Sequence, residues 1–346
     1  MTKTSRLMLA VLAVCGTSAA MAQSSVTLYG RVNTSVEHQK LGNSKATGLV
    51  TNSSYIGFRG EEDLGGGLKA GFQLEGNFNS DDGSAGTSGF NFKRQSEVNL
   101  SGNFGKVRLG NFDPYSYSVT ADWISMHNHD TGTSADMLYQ GVLWGGNKIA
   151  YQTPTFGGFD AQIQYQFGEK AVEDNYENKG GWDLGLNYGN GPLGLGLGYS
   201  QAKYSFLGLG GHDDKLSQLA VRASYAIGDL TLGAYYQRQE EKHFVTAKRN
   251  VYRIAAMYTL GASEFHANVG QASKVKASGT SFGEKATQWT LAYNYNLSKR
   301  TKVYALYTNI NNTESAFVGA PTAFSTNNTS ASDKFRSIGV GVRHLF

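Results

Sequence analysis

The tightest constraint on this chain is a period-two alternation that recurs from segment to segment with the same polar partner face. Phe159, Ala161, Ile163, Tyr165 and Phe167 are separated by Asp160, Gln162, Gln164 and Gln166. Trp182, Leu184, Leu186 and Tyr188 alternate with Asp183, Gly185 and Asn187; Leu193, Leu195, Leu197 and Tyr199 alternate with Gly194, Gly196, Gly198 and Ser200; Trp289, Leu291, Tyr293 and Tyr295 repeat the pattern. The final residues follow suit, with Ile338, Val340, Val342, His344 and Phe346 set against Ser337, Gly339, Gly341, Arg343 and Leu345. Successive side chains of a strand point to opposite faces, so each segment offers one apolar face and one small or polar face. A soluble sandwich also alternates, but it does not need a polar inner face on every strand. A barrel with lipid outside and water inside does.

The connections give the strand number. Tight Gly, Asp or Pro turns fall at Asp63 to Gly67, Ser101 to Gly105, Thr153 to Gly158, Gly189 to Pro192, Ile227 to Asp229, Leu260 to Ser263 and Leu297 to Arg300. Between them lie longer polar stretches near residues 40–47, 79–90, 111–146, 168–181, 203–215, 241–249, 274–286 and 312–333. Seven short and eight long connections in strict alternation predict an all-β fold: a 16-stranded antiparallel transmembrane β-barrel with short periplasmic turns and long extracellular loops. Sixteen strands enclose an aqueous lumen rather than a packed core.

Composition agrees. The chain has 44 Gly, 20 Tyr and 18 Phe but only 4 Pro, which suits glycine-rich strands with aromatic belts. Lys3 and Arg6, the apolar run Leu7 to Val14 and the small-x-small site Ala20-Met21-Ala22 predict a secretory signal over residues 1–22, with Gln23 starting a barrel domain over 23–346. Branched Val14 argues against lipidation of Cys15, so the single cysteine leaves with the signal and no disulfide is expected. Without Lys3 and Arg6, 29 basic residues face 27 acidic ones, a net charge of +2 that gives no case for nucleic acid.

Several segments resemble the trimeric general porins of Gram-negative bacteria, of the beta-proteobacterial type: SSVTLYGRVNTSVE (24–37), SYIGFRGEEDLGGGLKAGFQLEGNFN (54–79), FKRQSEVNLSGNFGKVRLGN (92–111), NKIAYQTPTFGGFDAQIQYQFG (147–168) and the ending VGVRHLF. The resemblance implies passive diffusion of small hydrophilic solutes and ions, a homotrimer, residence in the outer membrane among its lipid and lipopolysaccharide, and a third loop folded inward. No cofactor and no metal are expected. The resemblance also implies that Phe346 is the address read by the barrel assembly machinery.

The third long connection, 111–146, is the longest in the chain, and a structureless loop of that length is expected to fold inward or guard a site. Its carboxylates are Asp113, Asp122, Asp130 and Asp136. Asp122, beside Trp123 and a few residues into the loop, is the first candidate for the narrowest point. Lumen parity nominates Arg31, Arg59, Arg108 and Lys148 for the opposite wall, because each alternates with an apolar neighbour: Val32, Phe58, Leu109 and Ile149. Arg94 joins them on the family motif, although Val98 and Leu100 share its parity. Tyr55 and Ala150 stand where the family usually carries basic residues. Carboxylates facing cations across a water-filled gap narrower than a Debye length of ~8 Å would set up a transverse field that orients dipolar solutes and biases ion type.

Other motifs carry less. His127, Asn128, His129 and Asp130 sit in a polar loop and read as solvated rather than metal-binding. Gly194 to Gly198 lacks the helix and Lys-Ser/Thr of a phosphate cradle. Asn328-Thr329-Ser330 is a glycosylation sequon in a segment already rich in these residues. No Ser/His/Asp set is brought together by parity, so an enzyme is not expected. An adhesin or structural barrel, or a substrate-selective channel, would share the strand pattern.

Overall fold

The computed structural model describes residues 25–85, 89–121, 132–134, 136–143, 145–170, 176–206, 213–311 and 334–346. The predicted signal, 1–22, lies outside them. The strands form a closed antiparallel barrel of sixteen. They are β1 (Ser25–Leu41), β2 in two segments (Ser44–Thr51 and Tyr55–Gly65), β3 (Leu68–Asn77), β4 (Gln95–Gly102), β5 (Gly105–Asn111), β6 (Lys148–Gln152), β7 (Phe159–Gln166) and β8 (Tyr176–Asn190). The second half comprises β9 (Leu193–Phe206), β10 (Asp213–Ile227), β11 (Leu230–Lys242), β12 (Thr246–Leu260), β13 (Ser263–Ala272), β14 (Ala286–Asn296), β15 (Thr301–Asn311) and β16 (Phe335–Leu345). The two β2 segments are one barrel strand, because both pair with β1, Thr34 opposite Thr51 and Arg31 opposite Tyr55.

Burial is inverted relative to a soluble protein. Trp182, Leu184, Leu197, Val221, Ile254 and Val340 are exposed on the outside, whereas Gln162, Asp183, Ser200, Gln218, Gln237 and Gln288 are fully buried inside. The inner groups are buried against a loop within the lumen. Register is therefore strictly specified, since a slip of one residue would turn every Gln toward lipid and every Leu toward water.

The seven short turns lie where the pattern placed them. Two of the eight long connections do not. Residues 40–47 are the continuation of β1 and β2 around a tight turn, with Leu41 opposite Ser44 and Gln39 opposite Ala46. Residues 241–249 are likewise mostly β11 and β12, with Lys242 opposite Thr246. Parts of 168–181 and 203–215 are also strand. The reason is physical: above the hydrocarbon layer a strand has no lipid to face, so a polar stretch there need not be a loop.

Closure is made by β16 on β1, antiparallel from Arg31 opposite Leu345 to Leu41 opposite Phe335. Phe346 adds two backbone hydrogen bonds to Gly30, its N–H donating to the Gly30 carbonyl and its carbonyl accepting from the Gly30 N–H, both at 3.2 Å. Its ring fills the space where a Gly30 Cβ would stand, 2.5 Å from the ring edge, so glycine is required there. The terminus lies on the short-turn side, beside Arg300, whose carbonyl accepts from the Leu345 N–H at 2.8 Å. Removing Phe346 should lower the amount of folded protein in the outer membrane while leaving the unit conductance of inserted channels unchanged. Heat-modifiability on gels and bilayer recording separate the two effects, and normal surface levels of the truncated chain would contradict this.

Candidate functional site

Between Asn111 and Lys148 the chain turns into the barrel. Pro114 (φ −58°, ψ 131°) precedes a single-turn helix, α1 (Tyr115–Thr120). The residues YSYSVT are weak helix formers, and six residues are too few to sustain a helix in water. The barrel wall supplies the missing stability. Asp183 on β8 accepts from the Ser116 N–H at 3.0 Å and from the Ser116 hydroxyl, so a wall carboxylate caps the helix N-terminus. Glycines make the seat: a Cβ on Gly185 would meet the Tyr115 ring at 2.6 Å, one on Gly198 would meet Ser116 at 2.7 Å, and one on Gly196 would collide with the Val119 carbonyl. The glycine run on β9 thus lets backbone lie against backbone.

Beyond α1 the loop is tied around the inner wall. The Gln218 side chain donates to the Tyr139 hydroxyl at 2.9 Å, Gln237 donates to the Gln140 carbonyl at 2.9 Å, and the Met137 N–H donates to Gln288 at 2.9 Å. Burial pushes the Tyr139 phenol well above its ordinary pKa, so it stays a neutral hydroxyl. Asp136 forms an ion pair with Arg253 of β12, whose side chain is fully buried. The Thr133 N–H donates to Asn52 at 3.2 Å, which brings the loop to the break in β2.

The basic wall lies on β1 to β6. Arg31, Arg59, Arg108 and Lys148 all have the inward parity expected of them, with Val32, Phe58, Leu109 and Ile149 exposed on the outside. Arg94 also turns inward, and the conflict over its parity disappears because it sits in a bend just before β4 rather than in the strand. Arg31 donates through Nε and a terminal nitrogen to the Ser53 carbonyl at 3.1 and 2.9 Å. Ser53 is in the break of β2 at φ 52°, a left-handed conformation that costs a non-glycine residue energy. The break therefore aims a carbonyl at Arg31.

Aromatic rings hold these cations apart. Tyr55 lies between Arg31 and Arg94, with guanidinium-to-centroid distances of 5.0 and 4.7 Å. Arg59 lies over Tyr29 at 5.1 Å and Arg108 over Phe112 at 4.2 Å. Two wall carboxylates join them that lumen parity was not used to find. Glu75 pairs with Arg94 and accepts from the Tyr29 hydroxyl at 3.0 Å, while Glu97 accepts from Arg108 Nε at 2.8 Å. Lys148 is buried and donates to the Phe112 carbonyl at 2.8 Å, so it supports the root of the loop on the face it shares with Ala150.

Of the loop carboxylates, Asp113 is exposed beside the basic wall, with its backbone carbonyl accepting from Gln164 at 3.1 Å. Asp136 is buried on Arg253 and anchors the loop. Asp122 and Asp130 lie outside the described residues, as do His127, His129 and Asn328 to Ser330. Glu75, Glu97, Asp183, Arg222 and Arg253 all sit at inward parity, between apolar neighbours or next to one. Extending the parity argument to every charged strand residue would have found them.

A closed transmembrane barrel narrowed by an inward loop between charged walls is a channel protein of the outer membrane. The Gram-negative porin family profile matches residues 9–315, and the chain belongs to that family. It is 38% identical to outer membrane porin protein 32 of Delftia acidovorans over 99% of this chain and all of that one. It is 28% identical to an outer membrane porin protein of Bordetella pertussis over 95% and 96% of the two chains. Among solved structures, the anion-selective porin from Comamonas acidovorans superposes with a TM-score of 0.79 at 34% identity, covering 94% of this chain and all of that one. The protein is an outer-membrane channel for passive diffusion of solutes.

Replacing Arg253 by Gln should leave Asp136 as a buried uncompensated charge, a loss of about 3–5 kcal/mol at the anchor. Because the strand ladder is untouched, the barrel should still fold, but the loop should loosen. Single-channel recordings should show markedly greater open-state noise; a variant as quiet as the parent would show that this ion pair does not hold the loop.

Proposed function

We propose that this channel passes small hydrophilic solutes and ions through a constriction formed by Arg31, Arg59, Arg94 and Arg108 on one wall and the inward loop on the other, with a modest preference for anions. The observation that carries the reading is the charge balance of the wall on β1 to β6. Five basic groups, Lys148 included, accompany three buried carboxylates, Glu37, Glu75 and Glu97, of which Glu37 is taken up by Ser35, Gln39 and Ser337. Arg94 and Arg108 are largely neutralised by Glu75 and Glu97. Arg59 is the most solvent-exposed of the set and lies against a ring rather than a carboxylate, so its field reaches the lumen least screened. Asp113, Asp122 and Asp130 supply the opposing charge in this reading, while Asp136 and Lys148 hold the loop in place.

Weak contacts suit the task, since a site that bound solute tightly would stop flux. The ladder of guanidinium groups and rings offers successive shallow contacts without a deep well. The activity we propose is transport with no chemical step. The similar solved porin from Comamonas is described as anion-selective, and one similar structure, OmpT of Vibrio cholerae, is described in a trimer form. We extend both properties to this chain: a homotrimer, inserted by the barrel assembly machinery through the β16–Phe346 segment, and surrounded by outer-membrane lipid and lipopolysaccharide.

Planar-bilayer recording under a salt gradient tests this. Stepwise currents with a reversal potential on the anion side are expected, and the double variant Arg31→Gln, Arg59→Gln should move it toward zero or beyond. Absence of discrete steps from purified protein would remove the channel reading. A cation-selective parent would remove the assignment of the basic wall.

A further inference from the structure

Between α1 and the short turns, the inner wall of β8 to β11 borders a cavity of about 490 Å³. Its polar lining comes from Ser118 of α1, Asn187 of β8, Arg222 and Ser224 of β10 and Thr231 of β11, with the Tyr115 ring beside them. The strand residues share the inward parity of Asp183, Gln218 and Gln237, which are fully buried. Glycine keeps the space open. A Cβ on Gly194 would meet the Ser224 hydroxyl at 2.6 Å and stand 3.8 Å from Arg222 Nη2, while one on Gly189 would meet nothing within 4 Å.

Arg222 is the one charged group among the described residues that line the cavity, and it is only 7% exposed. Its Nη2 donates to Asn187 Oδ1 and to the Leu195 carbonyl, both at 3.2 Å, so neutral acceptors fix the plane of the guanidinium. Asp160 of β7 is linked to it through Asn187, and the carboxylate oxygens are taken up: one accepts from Asn187 Nδ2 at 3.0 Å and the other from the Tyr115 hydroxyl. Asp229 stands exposed in the turn between β10 and β11. The Ser224 and Ser118 hydroxyls donate over a long 3.4 Å to the Gly194 and Pro114 carbonyls. A concave space with a few convergent polar groups and one oriented charge is the usual form of a small-solute site.

We propose that this cavity is a weak binding site for a small oxyanion, a solute carrying a phosphate or carboxylate group, held by Arg222 on the short-turn side of the inward loop. The proposal rests on the reading that anions pass the basic wall, and it gives them a second contact on the wall of β8 to β11. The guanidinium fork matches the paired oxygens of a phosphate or carboxylate, which chloride does not offer. The Ser118, Ser224 and Thr231 hydroxyls rotate to donate to the remaining oxygens. Because the cavity is set into the wall, an ion held there slows on its way without plugging the lumen. An affinity on the order of millimolar suits that task, since tighter binding would stop flux.

Phosphorus NMR of millimolar inorganic phosphate with the full-length protein in neutral detergent tests the site, because exchange onto a slowly tumbling barrel broadens the line whether or not current flows. The parent should broaden it saturably at constant ionic strength, and Arg222→Gln should weaken the apparent affinity at least about tenfold. Gly189→Leu fills the open space and leaves Arg222 in place, so it should weaken binding too and decides the matter if the first variant folds poorly. The double variant Arg31→Gln, Arg59→Gln should keep most of the broadening. Acetate should compete with phosphate where chloride of equal ionic strength does not. A parent without saturable broadening, equal broadening by the parent and both cavity variants, its loss in the basic-wall double variant, or equal competition by chloride would overturn the proposal. The reversal potential reports separately on the basic wall, so a failed anion preference with the broadening intact removes that reading and leaves the site.

Discussion

Everything in this molecule depends on the closure of one hydrogen-bonded ladder. In hydrocarbon no water satisfies a backbone N–H or carbonyl, so an open sheet edge would carry a row of unpaired groups at several kcal/mol each. The β1–β16 seam removes that edge, from Arg31 opposite Leu345 to Leu41 opposite Phe335, and Phe346 extends it by two more hydrogen bonds to Gly30. With the edge gone, the outside needs only to be apolar and the inside is free to be polar. That freedom allows arginines, glutamates and glutamines to line a structure that lives in lipid.

A wide polar interior creates its own demand. Glutamines and serines of β8 to β14 point into the lumen, and many of them find partners in the inward loop rather than in water. Asp183 caps a helix that its own residues would not sustain, glycines on β8 and β9 give it a flat seat, and Arg253 holds Asp136 from the far side. The lumen is therefore asymmetric by construction. One wall is occupied in binding the loop; on the other, β1 to β6, Arg59 is exposed, while Arg31 and Lys148 are buried on backbone carbonyls and Arg94 and Arg108 pair with Glu75 and Glu97.

The basic wall shows how an aromatic ring lets cations stand close. The Tyr55 ring lies between Arg31 and Arg94 and offers both a π face, so two cations are held close with less mutual repulsion. The interruption of β2 works on the same residues. Ser53 turns its carbonyl to Arg31, and its neighbour Asn52 receives the loop through Thr133. A break in one strand thus touches both Arg31 and the inward loop.

Strand number, the seven tight turns, the two faces of each strand and the inward direction of Arg31, Arg59, Arg108 and Lys148 were legible in the sequence, because period two and turn chemistry are local properties. The polar stretches at 40–47 and 241–249 misled for the same reason: polarity records the absence of lipid and not the absence of a strand. Pairings were not legible. Arg94 and Glu75 are 19 residues apart and Asp136 and Arg253 are 117 apart, and which carboxylate meets which cation follows from strand register and the path of the loop. The sequence by itself determined a barrel with a wet, charged interior, since only that fold satisfies an alternating chain between lipid and water. The tertiary structure alone decided which charges are spent on holding the loop and which remain to face the solute, because that choice is made by contacts between residues that no local pattern relates.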